Sequence, residues 1–166
     1  MTRRIVLLVA ALTVSSLWIA TPQANADPHG ALCHIAGKAA FSKGLTTEAQ
    51  NVTYKFTGVL DNCAASDSAY TGAKLSAKGS GSLSCGQGTS KGVATIKWNT
   101  GKTSTVTYTT TSFGALVQLQ GSVTKGQFAG DSAIGGLAFE ANPPDCVGAG
   151  VKTANFDGLS GYGNYQ

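Results

Sequence analysis

Apolar and polar residues alternate along most of this chain, and no window carries the i, i+3, i+4, i+7 stripe of a helix. From residue 51 to 60, Val52, Tyr54, Phe56 and Leu60 fall on one face, with Thr53, Lys55 and Thr57 on the other. Residues 93–98 place Ala94, Ile96 and Trp98 opposite Val93, Thr95 and Lys97. After the turn Asn99-Thr100-Gly101-Lys102, residues 103–110 return with Val106 and Tyr108 against Thr103, Thr105, Thr107 and Thr109. Residues 116–124 repeat the pattern, with Val117, Leu119 and Val123 against Gln118, Gln120, Ser122 and Thr124. A period of two demands strands that bury one face.

Further strands are expected over 33–41, 72–79, 80–85, 127–128, 132–139 and 150–157. The turn clusters between them are Ser42-Lys43-Gly44, Gly86-Gln87-Gly88, Lys125-Gly126 and Asn142-Pro143-Pro144. At most a short helical turn is expected near Leu45 to Ala49. Turns at intervals of about 8–12 residues mark a sandwich or a barrel. The chain is too short for parallel crossovers, so the strands should run antiparallel. The expected architecture is an all-β, antiparallel β-sandwich, immunoglobulin-like or a related Greek key, of about 8–10 short strands.

The first residues read as an address. Arg3 and Arg4 precede an uncharged apolar run over 5–20, followed by Ala24-Asn25-Ala26, the layout of a signal peptide (residues 1–26) cleaved after Ala26. Thr2-Arg3-Arg4 leaves both general and twin-arginine export open. Residues 27–158 would form one domain and residues 159–166, with Tyr162 and Tyr165 among glycines, a flexible tail. Without the leader the formal charge falls from +4 to +2, because ten lysines face eight acids and no arginine remains. Those lysines lie singly along the sequence from Lys38 to Lys152, which argues against a nucleic-acid partner. Low charge is offset by 29 serines and threonines in residues 27–166, whose hydroxyls can face water from a strand. The expected location is outside the cell or at its envelope, with no membrane insertion after cleavage.

Cys33, Cys63, Cys85 and Cys146 all follow the leader, an even count that reads as two disulfides. Their spacing fits neither a zinc ribbon nor a CxxC motif. Cys63 with Cys85 would close a local loop, and Cys33 with Cys146 would join the two ends of the domain. Each bridge would contribute about 3–5 kcal/mol, and these links would compensate for a small core.

Little in the chain supports catalysis. His29 and His34 are the only histidines, and no GxSxG elbow accompanies the serines. His34 should point away from the face of Cys33 and Ile35 as an ordinary surface histidine. Asp27-Pro28-His29 cannot chelate copper as an amino-terminal motif, because Pro28 has no amide proton to lose. Glu48, Asp61, Asp67, Asp131, Glu140, Asp145 and Asp157 fall mostly at turns or strand ends, without an evident catalytic pair. No P-loop, dinucleotide fingerprint or EF-hand loop is present. No catalytic, cofactor or metal residue is therefore assigned.

The segments Cys33-x-Ile35-x-Gly37, Phe41-Ser42-x-Gly44-Leu45-Thr46, Gly58-x-Leu60-x-Asn62-Cys63 and Trp98-Asn99-x-Gly101-Lys102-Thr103-Ser104 resemble small exported actinobacterial proteins. Those proteins are rich in Gly, Ser and Thr and carry a signal peptide and two apparent disulfides. The resemblance runs across nearly all of the chain after the leader and brings no catalytic residue. In composition and size the chain is also similar to neocarzinostatin-type apoproteins, immunoglobulin-like sandwiches that hold an apolar chromophore. Their disulfides close short loops, unlike the spacing here. The leading expectation is a non-enzymatic binding module for a protein, a glycan or an envelope component. A second is a carrier of a small apolar ligand, in a cavity of several hundred Å³ lined by Tyr54, Trp98 and Tyr108. A third is an enzyme or an enzyme inhibitor, the latter a protease inhibitor presenting the segment from Asp61 to Tyr70.

Overall fold

The computed structural model describes residues 30–140 and 143–164. The expected leader, residues 1–26, lies outside the described residues, as does His29. The elements are β1 (Gly30–Leu45), β2 (Gln50–Ala65), β3 (Ala73–Leu83), β4 (Gln87–Trp98), β5 (Thr103–Phe113), β6 (Leu116–Gly126), β7 (Ser132–Glu140), α1 (Pro143–Val147) and β8 (Val151–Gly163). Each strand pairs antiparallel with its neighbour in sequence, and β8 pairs back onto β1, giving a closed barrel of eight strands.

This closure overturns the expected immunoglobulin-like sandwich. Alternation specifies one buried face per strand and is the same in both architectures. What distinguishes them is whether the first and last strands meet. Here the pairing runs from Gly30 opposite Gly163 to Leu45 opposite Val151, so no edge is left exposed. The same pairing corrects the expected flexible tail for residues 159–163, while Tyr165 lies outside the described residues. Residues 159–163 are strand, hydrogen-bonded to both β1 and β7, and Tyr162 is buried. Glycine there serves close approach: a Cβ on Gly158 would strike the Gly136 carbonyl.

The inward faces follow the sequence pattern. Val52, Phe56 and Leu60 of β2, Ala94, Ile96 and Trp98 of β4, and Val106 and Tyr108 of β5 are all buried. Four expectations fail locally. One strand, Ala73–Leu83, replaces the two expected over 72–79 and 80–85, and β4 begins at Gln87 rather than Val93. Its early inward positions are Gly88, Ser90 and Gly92, too small to register as an apolar face. Residues 127–128 are turn, and the helical turn sits at 143–147 instead of 45–49.

The disulfides also differ from the expected Cys63–Cys85 and Cys33–Cys146 pairs. Cys33 bonds Cys63, and Cys85 bonds Cys146. The first pair follows from a bulge in the β1–β2 ladder. Between Leu32↔Ala64 and His34↔Asp61, Cys33 alone faces both Asn62 and Cys63. Asn62 takes the left-handed conformation there (φ 48°), a region that asparagine tolerates. The extra residue lets Leu60 and Cys63, three apart, both turn towards the interior, beside Cys33. The second pair joins the β3–β4 turn to α1 in the β7–β8 connection. Those connections are four strands apart around an eight-stranded wall, so this bond is a strap across the barrel mouth.

Candidate functional site

The two ends of the barrel are built differently, and the difference locates the candidate site. At the end where β4 finishes, Trp98 meets Tyr70 at 5.5 Å, Phe128 at 5.3 Å and Tyr162 at 5.8 Å, with interplanar angles of 90°, 74° and 88°. These are edge-to-face contacts favoured by ring quadrupoles. The Trp98 indole N–H donates to Ser104 Oγ at 2.8 Å, and Ser104 donates to the Gln127 carbonyl. Asn99 holds the β2–β3 loop over the tryptophan, donating to the Ala69 carbonyl and accepting from the Thr71 amide. Phe128 adopts a positive φ of 62° so that its ring completes the plug. Burial among Tyr70 and Trp98 offsets that backbone strain.

The other half is hollow. A cavity of about 120 Å³ runs from mid-barrel to the mouth, between the Cys85–Cys146 strap and the β5–β6 turn. Its wall is mostly apolar, with Ile35, Phe56, Leu119, Leu137 and Phe139 among the lining residues. Small residues at Ala77, Ala94 and Gly135 leave the space open. Leu45, Val52, Val151 and Ala154 pack as a second, smaller cluster below the strap.

Two polar features face this cavity. One is a chain of hydroxyls. Thr110 Oγ1 lies 2.6 Å from Ser90 Oγ, Ser90 Oγ 2.9 Å from the Tyr54 hydroxyl, and Tyr54 3.0 Å from the Tyr108 hydroxyl. Four hydroxyl donors share three bonds, so one proton remains to be given. Burial, reinforced by Tyr54 as neighbour, pushes the Tyr108 hydroxyl well above the ordinary phenol range. It therefore stays protonated. The other feature is Ser160 on β8, which is buried and whose Oγ has no hydrogen-bond partner. A buried orphan hydroxyl is uncommon and costs stability.

Of the three residues expected to line a ligand cavity, Tyr54 and Tyr108 do so. Trp98 belongs to the closed end. The cavity is also smaller than the several hundred Å³ expected. Ser160 and Ser90 were missed, because inward-facing serines look like outward ones when the strand's parity is unknown. The segment 61–70 is no free loop: residues 61–65 are strand and Tyr70 is buried.

His34 sits outside, on the wall at the β1–β8 seam. Its Nδ1 lies 2.8 Å from Asp61 Oδ1 and its Nε2 2.9 Å from Asp157 Oδ2. Those bonds, Asp61 first and Asp157 second, raise its pKa above the usual histidine value. Asp61 follows the inward-facing Leu60 and lies directly opposite His34 in the β1–β2 ladder, and Asp157 reaches the ring from the other side through the β1–β8 pairing, which spacing alone does not reveal. No group of three or more His, Cys, Asp and Glu side chains among the described residues is arranged to hold a metal ion. Comparison with family models, curated proteins and solved structures yields no match.

Proposed function

We infer that the protein is an exported, non-enzymatic binding barrel that takes a small apolar molecule carrying one polar group into the hollow half of its interior. The observation that carries this reading is the apolar cavity of about 120 Å³ with the unpartnered Ser160 hydroxyl on its wall. Ligand sites are typically apolar with a few placed polar groups. A cavity of roughly 150 Å³ can accept benzene, so the fitting ligand is of single-ring size. Binding rather than turnover is supported by the position of His34, which both aspartates hold on the outer wall away from the cavity. Export is supported by the two disulfides and the leader pattern.

Titration calorimetry with p-cresol, benzene and cyclohexanol tests the reading. Saturable binding of p-cresol, stronger than benzene and abolished by the cavity-filling substitution Ala94→Phe, is the expected outcome. Absence of binding across the panel, or binding unaffected by Ala94→Phe in a folded variant, would exclude an interior site.

A further inference from the structure

The sequence places no acidic residue between Asp67 and Asp131, while that stretch carries Lys74, Lys78, Lys91, Lys97, Lys102 and Lys125. Residues that lie singly along the chain meet across the strands of the folded wall. Lys55 on β2 pairs directly with Lys78 on β3. Lys91 on β4 faces Ser80, two positions along β3 from Lys78, so it is the diagonal neighbour. Like charges at such positions repel. No carboxylate among the described residues forms an ion pair with any of the three.

These lysines lie in a groove of about 1200 Å³ on the outside of the barrel, crossing from β1 to β6. Its shape comes from inward-facing glycines. A Cβ on Gly79 would collide with the Tyr54 ring, and one on Gly92 would come within 2.5 Å of the Tyr108 hydroxyl. The backbone therefore rests directly on the two tyrosines, and the wall sinks where a side chain would have propped it outwards. Between the lysines the groove presents neutral hydroxyls and amides: Thr53, Ser80, Thr107, Thr109, Gln120 and Ser122.

We propose that this groove binds a linear acidic polysaccharide, independently of the interior ligand. Hydroxyl and amide side chains match the donors and acceptors of sugar rings, and the unpaired ammonium groups match their acidic substituents. Single-stranded nucleic acid fits less well. Its recognition relies on exposed stacking rings, and the exposed large aromatic residue among those described is Phe113, outside the groove. Lysine also lacks the planar fork with which arginine grips phosphate.

The test compares binding of dextran sulfate, polygalacturonate, neutral dextran and poly(dT) to the wild type and two triple variants. One is Lys55→Gln/Lys78→Gln/Lys91→Gln. The other, Lys74→Gln/Lys97→Gln/Lys125→Gln, removes equal charge from outside the groove. The groove variant is expected to lose about tenfold in affinity for the acidic polymers, as three exposed ion pairs imply. The control should lose less than about threefold. Polygalacturonate binding with dextran sulfate would identify carboxylate as a sufficient acidic group; dextran sulfate alone would assign sulfate. Lys55→Arg/Lys78→Arg/Lys91→Arg should keep the affinity, and thermal unfolding checks that each variant is folded. Equal losses in both Gln variants would show diffuse charge and overturn the groove. So would dextran binding as tightly as dextran sulfate, poly(dT) binding more tightly than either acidic polysaccharide, or no binding of any polymer.

Discussion

The closed end of the barrel packs Tyr70, Phe128 and Tyr162 directly against Trp98, whereas the hollow half sets its large apolar side chains, Phe56, Leu119, Leu137 and Phe139 among them, around a cavity that Ala77, Ala94 and Gly135 leave open. Both halves share the same strands and the same hydrogen-bonded ladder. An eight-stranded barrel has room for about one set of side chains, so residue size decides whether a layer is solid or empty. Rings occur in both halves, and the hollow half stays open because Ala77, Ala94 and Gly135 stand between its rings. At the rim, Phe113, Leu116 and Val147 are exposed, while the large aromatic residues of the plug are buried.

Emptying the plug should separate the two halves most strongly. Trp98→Ala should lower stability by about 4 kcal/mol in urea unfolding, the cost of a large cavity in a packed layer. Leu119→Ala, beside space that already exists, should cost less than about 2 kcal/mol. Similar losses would mean that stability is spread evenly along the barrel.

The disulfides divide in the same way. Removing Cys85–Cys146 as a double Ser variant should cost about 4 kcal/mol by chain entropy for its separation of 61 residues, and speed ligand exchange by freeing the mouth. Removing Cys33–Cys63, with a separation of 30, should cost about 3.5 kcal/mol and leave exchange unchanged. Stopped-flow ligand release distinguishes the two, and equal release rates would remove any gating role from the strap.

Ser160→Ala probes the hollow half more gently. Stability should stay within about 1 kcal/mol of wild type, because the hydroxyl has no partner to lose. Affinity for p-cresol should fall about fivefold, the equivalent of one hydrogen bond. A strongly destabilised variant would place Ser160 in the packing rather than at a ligand.

The smallest effect concerns His34, on the outer wall. Its pKa is raised in the folded state, so its pairing with Asp61 and Asp157 contributes stability that is complete below the unfolded value near 6.5. That contribution is lost as pH rises through the higher folded value. Chemical unfolding across this range should show the slope in the wild type and not in His34→Gln. Ligand affinity should not follow it, because the cavity lies on the other side of the wall.

Much of the barrel is legible before folding. Faces such as Ala94-Ile96-Trp98 and Val106-Tyr108 are fixed by alternation, and the inward side of each hairpin follows from them. Closure is not legible, because pairing of β1 with β8 leaves no local mark in either strand. The disulfide partners were hidden for a related reason: one extra residue at Asn62 decides which way Cys63 points. The hollow was hidden because Ser90, Ser160 and Gly135 inside the barrel are of the same types as residues on its surface. The groove lysines became neighbours only through register, as with Lys55 and Lys78.

The seam between β1 and β8 has a kinetic consequence. Gly30 must find Gly163 at the far end of the described chain, after the seven hairpin-type pairings between consecutive strands. Those pairings are local, but closure is the contact of highest sequence separation and carries the largest loop entropy. Until it forms, both terminal strands are open edges capable of pairing with another chain. Refolding of this protein should therefore be limited by ring closure, and its aggregation risk should be confined to the interval before the last strand docks.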